Sequence, residues 1–303
     1  MISAPYHLSQ GDLVAIIPPA KSIDIIYINK AKNILESWGL NVILSDNIND
    51  SYYQFAGNDQ DRYEAFQKLL DNPEVKCIFC ARGGYGTTRI IDKISFDTFK
   101  KNPKWIIGYS DITVLLFHLY NMGFQGIHGP MPVNFSEQNA EESIQRLKKI
   151  LLNGVLEPIS FQGNSNNIEG RTSGELIGGN LSMIVNSIGT PSDFTTRNQI
   201  LFIEEVDEYL YRIDRMFVQL KRAGKLQNLS GLILGHFSQI HDNEIPFGLS
   251  IEQMILDLTS EYNYPVCFDA PFGHEMPNFP IPVGQIFDLQ VKINEVSLKI
   301  SED

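Results

Sequence analysis

The residues with the clearest chemical potential lie in the segment KWIIGYSDI, residues 104–112. A short apolar run ends at Gly108, Ser110 follows two residues later, and a segment with the apolar spacing of a helix opens at Asp111. This order predicts a strand, a sharp turn and a helix. The hydroxyl of Ser110 would be exposed above the sheet, beside backbone N–H groups that can stabilise an oxyanion. The alternative is that Ser110 only caps the helix.

A serine nucleophile needs a base and a group that orients the base. Of the six histidines, His274 lies in a Pro- and Gly-rich loop, residues 270–284, which fixes its position without burying the ring. Glu204 and Glu205 end an apolar run. Because neighbouring strand residues point to opposite faces, only one of these carboxylates can face the site. A structural histidine and the acidic first turn of a helix remain open as alternatives.

A glycine-rich turn, RGGYG at residues 82–86, follows a predicted strand. Its spacing is neither that of a P-loop nor that of the dinucleotide-binding fingerprint. We expect the turn to supply a backbone donor that completes an oxyanion hole beside Ser110. The alternative is a tight turn that needs glycine for positive φ.

The composition argues against several classes of protein. A chain of 303 residues with 43% hydrophobic and 20% charged residues is typical of one large or two ordinary globular domains. The net charge of −12 and the absence of a long basic run argue against a nucleic-acid partner. No run approaches the roughly 20 apolar residues of a membrane span, and residues 1–12 lack the features of a signal peptide. We therefore expect a cytoplasmic protein with no membrane partner.

The cysteines and histidines do not indicate a metal site. Cys77 and Cys80 form C-x-x-C inside an apolar run, and on a strand they would face opposite sides of the sheet. All three cysteines are interpreted as buried thiols. Because no H-E-x-x-H motif or comparable ligand set occurs, we expect neither a metal nor a cofactor.

The elements that must position these residues alternate between strand and helix in the first half of the chain. Four alternations predict a parallel, doubly wound sheet with right-handed crossovers. Functional residues of such sheets lie beyond the carboxyl ends of the strands, where the turns at residues 18–20, 82–86 and 108–111 converge. The predicted strands are residues 13–17, 41–44, 75–80 and the run at Trp105, and the predicted helices are residues 25–38, 59–70, 87–94 and 111–122.

The pattern changes after about residue 134. A charged helix, residues 140–152, leads into a polar stretch rich in Gly, Asn and Ser, residues 162–173. We therefore expect an N-terminal α/β domain at residues 1–136, a linker at 137–170 and a C-terminal domain at 171–303. The predicted strands of that domain are residues 200–204, 231–235, 266–269, 288–293 and 296–300, and its predicted helices are residues 209–223 and 251–262.

Seven segments of the chain together resemble one family. They are FAGNDQDR (55–62), ARGGYG (81–86), IIGYSDIT (106–113), HGPM (128–131), LIGGNL (176–181), FIEEV with YRIDRM (202–216), and FGH with PIPVG (272–284). In this order they resemble the LD-carboxypeptidases, serine peptidases that include murein tetrapeptide carboxypeptidases and microcin C immunity proteins. The resemblance covers nearly the whole chain.

The resemblance implies a Ser–Glu–His triad, with Ser110 as nucleophile, Glu204 as orienting carboxylate and His274 as general base. It implies that the backbone N–H groups of Gly84 and Asp111 form the oxyanion hole. It also implies a flavodoxin-like or Rossmann-like N-terminal domain and a C-terminal domain with a small β-barrel-like core, which carries the Glu and His of the triad. Members of the family are often dimeric, so a homodimer is expected.

The substrate implied by the resemblance is a murein tetrapeptide, a small muropeptide from which the terminal D-alanine is released at an L-to-D bond during peptidoglycan recycling. Arg82 is the candidate for binding the substrate carboxylate, and Tyr85 and His128 are further substrate-binding candidates. Three alternatives stay open. They are an immunity peptidase that cleaves a microcin C-type aminoacyl-nucleotide toxin, a non-catalytic binding module, and an esterase of the α/β-hydrolase type. Ile112, where that fold has glycine, disfavours the esterase.

Overall fold

The computed structural model describes residues 2–301, which divide into two compact units. The first unit runs up to Leu156 and includes Met276–Pro282, and the second comprises Glu157–Glu275 and the residues from Val283 onward. Within the described residues, no helix combines the length and the apolar character that a membrane crossing requires.

Helices and strands alternate regularly in the first unit and less regularly in the second. The strands are β1 (Leu13–Ile17), β2 (Asn41–Leu44), β3 (Val75–Cys80), β4 (Trp105–Ile107), β5 (Ile127–His128), β6 (Ile159–Gln162), β7 (Gly170–Asn180), β8 (Ile200–Val206), β9 (Gly231–Ser238), β10 (Val266–Cys267), β11 (Ile281–Pro282), β12 (Ile286–Val291) and β13 (Glu295–Ile300). The helices are α1 (Ile25–Ser37), α2 (Asp59–Asp71), α3 (Asp97–Lys101), α4 (Thr113–Asn121), α5 (Glu141–Asn153), α6 (Leu181–Ser187), α7 (Leu210–Arg222) and α8 (Ile251–Thr259).

A six-stranded sheet forms the centre of the first unit, with strand order β2-β1-β3-β4-β5-β11. The first five strands of this order pair in parallel, and β11 joins β5 in the antiparallel direction. The order 2-1-3-4-5 is that of flavodoxin-like folds, so the predicted doubly wound parallel sheet is confirmed. In such sheets ligands bind beyond the carboxyl ends of the strands where the order reverses, here at β1 and β3.

Local sequence signals explain why these elements form where they do. The strands β3 and β4 are nearly continuous apolar runs, as expected for parallel strands that helices cover on both faces. Asp24 caps α1 by accepting a hydrogen bond from the backbone of Ile26. Asn58 and Asp61 form a capping box at the start of α2.

The second unit contains one mixed sheet of seven strands, with order β10-β9-β8-β7-β12-β13-β6. The strands β7 to β10 pair in parallel, whereas β12 pairs antiparallel with both β7 and β13. An isolated bridge joins Ile168, between β6 and β7, to Val266 of β10. This bridge brings the chain after one edge strand back to the other edge. The predicted β-barrel-like core is not confirmed by this strand order alone.

The segment predicted as a linker, residues 137–170, contains the helix α5 and the strand β6. The helix α5 buries Ile144, Leu147 and Ile150 in the core of the first unit, because its apolar residues recur on one face. The polar stretch that follows, residues 162–173, contains the last residue of β6 and the first four residues of β7. Its Gly, Ser and Asn residues did not predict strands because the pairing partners of β6 and β7 are distant in sequence.

A buried lysine supports the end of α2. Lys104 is 1% exposed, and its Nζ donates to the carbonyl oxygens of Leu69 at 3.2 Å and Asn72 at 2.6 Å. Burial lowers the pKa of Lys104 to about 8. A neutral amine still carries two N–H groups, so both hydrogen bonds persist after the proton is lost.

The lowered pKa of Lys104 predicts that the difference in stability between the wild type and a variant without this lysine depends on pH. The folded-state pKa of Lys104 lies below the unfolded value, so between pH 8 and 10.5 the unfolded chain binds more protons and the folded state gains stability as the pH rises. We expect the free energy of unfolding of the wild type, relative to Lys104→Met, to rise by about 2–3 kcal/mol from pH 7 to pH 10. Urea denaturation at the two pH values measures this difference. Lys30→Met, which removes an exposed lysine of α1, is the control for the loss of one positive charge. A difference that stays flat or falls would contradict the lowered pKa.

Candidate active site

Ser110 occupies a strained turn at the carboxyl end of β4. A 3₁₀ turn, Ser110–Ile112, leads from the strand into α4, and the backbone of Ser110 is left-handed with φ of 61°. For a residue with a Cβ this conformation costs about 1–2 kcal/mol. The residue before α4 is Ile112 and no side chain caps the helix, so the structure does not support an N-cap role for Ser110. A serine on a strained strand-to-helix turn has the geometry of a nucleophile.

The glycine-rich turn after β3 lies directly against Ser110. A Cβ on Gly83 would be 3.2 Å from Ser110 Oγ and 3.3 Å from the backbone nitrogen of Asp111, so a larger residue would crowd the serine. Within residues 2–301, the backbone N–H groups of Gly84 and Asp111 donate no hydrogen bond to another backbone carbonyl. Both N–H groups are therefore available to an oxyanion beside Ser110.

A buried arginine holds the turns around Ser110 in place. The side chain of Arg62 is fully buried on α2, and it donates to the carbonyl oxygens of Pro19 and Gly86, each at 2.9 Å, and to the carboxylate of Asp59. Burial lowers the pKa of Arg62, and the charge of Asp59 opposes this shift. The turn after β1 and the turn after β3 are thus tied to one guanidinium group.

The carboxylate beside Ser110 is also buried. Asp111 Oδ2 accepts a hydrogen bond from the backbone of Thr87 at 2.8 Å. Burial raises the pKa of Asp111, while the hydrogen bonds from Thr87 and the backbone of Gly86, together with the charge of Arg62, oppose that rise. The residue that follows the serine is therefore fixed to the end of the glycine turn.

In the second unit, His274 and Glu204 form a hydrogen-bonded pair. The distance between His274 Nδ1 and Glu204 Oε2 is 2.7 Å, the glutamate side chain is fully buried and the histidine side chain is 18% exposed. Glu204 lies near the end of β8, and His274 lies in the loop between β10 and β11. A carboxylate at Nδ1 favours the tautomer protonated there, which makes Nε2 the basic nitrogen.

The neighbouring carboxylate of Glu205 binds a different set of groups, mainly at the start of α6. Its carboxylate accepts hydrogen bonds from Asn180 Nδ2 at 2.8 Å, from the backbone and hydroxyl of Ser182 at 2.8 and 2.6 Å, and from the backbone of Val206 at 2.9 Å. These bonds hold the first turn of α6. Burial raises the pKa of Glu205, and the hydrogen bonds from Ser182 oppose this rise. The two neighbouring carboxylates therefore have separate partners.

The remaining predicted site residues differ in exposure. Arg82 is exposed and donates to the carbonyl oxygen of Ser22 at 3.4 Å. Tyr85 is 45% exposed, with its ring 6.0 Å from that of Phe55. His128 is fully buried in β5, with its ring 5.8 Å from that of Tyr109, the residue before the serine. Arg82 and Tyr85 are thus open to a ligand, whereas His128 is buried beside Tyr109.

Arg62 was not predicted to be a functional residue, although its position in the sequence carries a signal. It is a basic residue in the first turn of α2, where acidic residues are favoured. Within residues 2–301, no three His, Cys, Asp or Glu side chains are grouped as a metal ion would require.

Two exchanges at Ser110 separate backbone strain from the loss of the hydroxyl. Ser110→Ala and Ser110→Gly both remove the hydroxyl, but only glycine relieves the left-handed backbone. Glycine has more conformational freedom than alanine in the unfolded chain, and this entropy offsets part of the stability gained by relieving the strain. We expect Ser110→Gly to exceed Ser110→Ala in free energy of unfolding by about 1 kcal/mol, measured by urea denaturation.

The same pair of exchanges in a helix provides the control. At Ser143 in α5 we expect the opposite order, with the glycine variant less stable than the alanine variant by about 1 kcal/mol. Equal stabilities of the two Ser110 variants would contradict a left-handed backbone at that residue.

Comparison with known proteins places this arrangement in a family. Residues 14–129 match the LD-carboxypeptidase N-terminal domain, and residues 173–289 match the LD-carboxypeptidase C-terminal domain. The chain is 34% identical to the probable murein peptide carboxypeptidase of Bacillus subtilis, over 92% of this chain and 89% of that protein.

Solved structures agree with the sequence matches. The crystal structure of muramoyltetrapeptide carboxypeptidase from Oxalobacter formigenes superposes with a TM-score of 0.85 at 30% identity, covering 96% of this chain and 99% of that one. The structure of MccF in complex with glutamyl sulfamoyl guanosine has the same fold, with a TM-score of 0.86 at 21% identity over 99% of this chain and 98% of that one. On the two domain matches and these relatives, the chain belongs to the LD-carboxypeptidase family.

Proposed function

We propose that this protein is a serine carboxypeptidase that cleaves the L-to-D peptide bond of murein tetrapeptides and releases the terminal D-alanine. The observation that carries the proposal is the 2.7 Å hydrogen bond between His274 Nδ1 and Glu204 Oε2. A histidine oriented by a buried carboxylate is the base that a serine nucleophile requires. Ser110, on its strained turn with two available N–H groups, supplies the nucleophile.

The reaction proceeds through an acyl-enzyme. Ser110 Oγ attacks the carbonyl of the L-residue, and its proton passes to Nε2 of His274. The carboxylate of Glu204 stabilises the imidazolium that forms. The N–H groups of Gly84 and Asp111 bind the oxyanion, and the loss of one such donor typically costs about 3–4 kcal/mol. His274 then protonates the departing amine of D-alanine, and a water molecule activated by the same histidine hydrolyses the ester.

The relatives favour this substrate over the microcin-type alternative. The Bacillus subtilis and Oxalobacter formigenes proteins are at least 30% identical to the chain and carry murein or muramoyltetrapeptide carboxypeptidase names. The likeness to the microcin C7 immunity protein MccF is one of fold, at 20–21% identity. The setting that we propose is the recycling of released muropeptides in the cytoplasm by a homodimer.

Substitution of the three proposed catalytic residues tests the mechanism. Ser110→Ala and His274→Ala should lower kcat by about 10⁴- to 10⁶-fold, and Glu204→Gln by about 10⁴-fold, because each removes the nucleophile, the base or the orientation of the base. Purified murein tetrapeptide is the substrate, and mass spectrometry follows the tripeptide and D-alanine. Glu205→Gln is the matched control. This substitution should lower the thermal midpoint, because the new side-chain NH₂ would face one of the donors that bind the Glu205 carboxylate. At a temperature where the variant stays folded, its kcat should remain within about threefold of the wild type.

The outcomes distinguish the candidate functions. Near-wild-type hydrolysis by Ser110→Ala would exclude Ser110 as the nucleophile. Cleavage of an aminoacyl sulfamoyl nucleoside but not of the tetrapeptide would assign the microcin-type function. A wild type that binds muropeptide without hydrolysing it would identify a binding module.

A further inference from the structure

Four cationic side chains of the described residues lie around the glycine-rich turn, and three of them have partners. Arg62 is buried against two carbonyl oxygens and Asp59. Arg89 pairs with Asp59 at 2.7 Å, and Arg82 donates to the carbonyl oxygen of Ser22. Within residues 2–301, the ammonium group of Lys21 donates no hydrogen bond and pairs with no carboxylate. Lys21 is thus the cation of this group that remains available to an anion.

The backbone of Lys21 is fixed from both sides. It forms an antiparallel bridge with Phe55, and its N–H donates to the carbonyl oxygen of Gly83 at 3.4 Å. The backbone N–H of the neighbouring residue Ser22 donates to the carbonyl oxygen of Gln54 at 3.0 Å. The lysine is therefore attached to a segment that is tied to the glycine turn, and its side chain starts from a defined position.

The aliphatic part of Lys21 lies across Gly84. A Cβ on Gly84 would be 2.5 Å from Lys21 Cδ, 2.8 Å from Cγ and 3.0 Å from Cε. Packing of the methylene groups on the glycine leaves the ammonium group at the end of a half-buried stem. The adjacent Gly83 lies against Ser110, so the stem of Lys21 packs on the same glycine-rich turn that contacts the proposed nucleophile and carries the Gly84 donor.

We propose that Lys21 binds the terminal carboxylate of the substrate and thereby restricts the enzyme to the last residue of the peptide. This inference rests on the proposed carboxypeptidase function. In a carboxypeptidase the carboxylate lies one residue beyond the scissile carbonyl, so its cation must lie close to the oxyanion donors. Lys21 meets this requirement through Gly84. An ammonium–carboxylate hydrogen bond is charge-assisted and stronger than a neutral one.

Arg82, the candidate chosen from the sequence, is less suited to this task. Its guanidinium group is exposed and points to the carbonyl oxygen of Ser22, and exposed ion pairs contribute little. The half-buried stem of Lys21 loses less freedom when the ammonium group binds an anion. The specificity for a free carboxylate is therefore assigned to Lys21.

The test compares a murein tetrapeptide that ends in D-alanine with the same peptide that ends in D-alanine amide. The wild type should prefer the free acid by about 10- to 100-fold in kcat/KM, the range expected for one charge-assisted hydrogen bond. Lys21→Met should lose this preference through a higher KM for the acid, with kcat/KM for the amide within about twofold of the wild type. Lys21→Arg should recover part of the preference, because it retains the charge with different geometry.

Two further variants complete the experiment. Lys30→Met, which removes an exposed lysine of α1, should leave both substrates unaffected. A preference lost in Arg82→Met and kept in Lys21→Met would overturn the assignment. A wild type that cleaves acid and amide equally would overturn it as well, while the proposed function would stand. If the wild type cleaves neither peptide, the proposed function itself fails.

Discussion

The arrangement around Ser110 depends on the burial of one guanidinium group. An isolated ion removed from water loses several kcal/mol of solvation free energy, so a buried arginine must have acceptors close to it. Arg62 finds them in the carbonyl oxygens of Pro19 and Gly86 and in the carboxylate of Asp59. Because these groups belong to different turns, movement of either turn would leave a buried charge without a partner. The guanidinium group therefore couples the turns after β1 and β3.

The coupling extends to Ser110, the proposed nucleophile, through hydrogen bonds of the glycine turn. The residue after Gly86 is Thr87, whose backbone N–H binds the carboxylate of Asp111, and Asp111 follows Ser110. Gly83, near the start of the same turn, lies directly against the side chain of Ser110. The left-handed backbone of the serine is thus held by several linked contacts, so that it cannot relax without moving the glycine turn. This is how a fold sustains local strain at a functional residue.

In the second unit, two neighbouring carboxylates are both buried, and their side chains point to opposite faces of the strand. Glu204 and Glu205 follow each other in β8, and the charge of Glu204 contributes to the raised pKa of Glu205. Glu205 accepts four hydrogen bonds from α6 and its surroundings, whereas Glu204 hydrogen-bonds to the ring of His274. The strand alternation separates a carboxylate that supports the fold from one that pairs with the proposed base.

The parallel sheet of the first unit could be predicted from the amino-acid sequence, because its signals are local. The strands β1, β2 and β3 have the bounds that their apolar runs predicted. Features that depend on partners distant in sequence could not be predicted in this way and became visible only in the folded chain. The strand β7 has few strand-forming residues at its start and is defined by β8 and β12. Likewise, Arg62 and Lys21 contact the glycine-rich turn, which is more than 20 residues away from each of them along the chain. A local sequence pattern does not predict which charged side chain a fold buries and which it leaves available to a ligand.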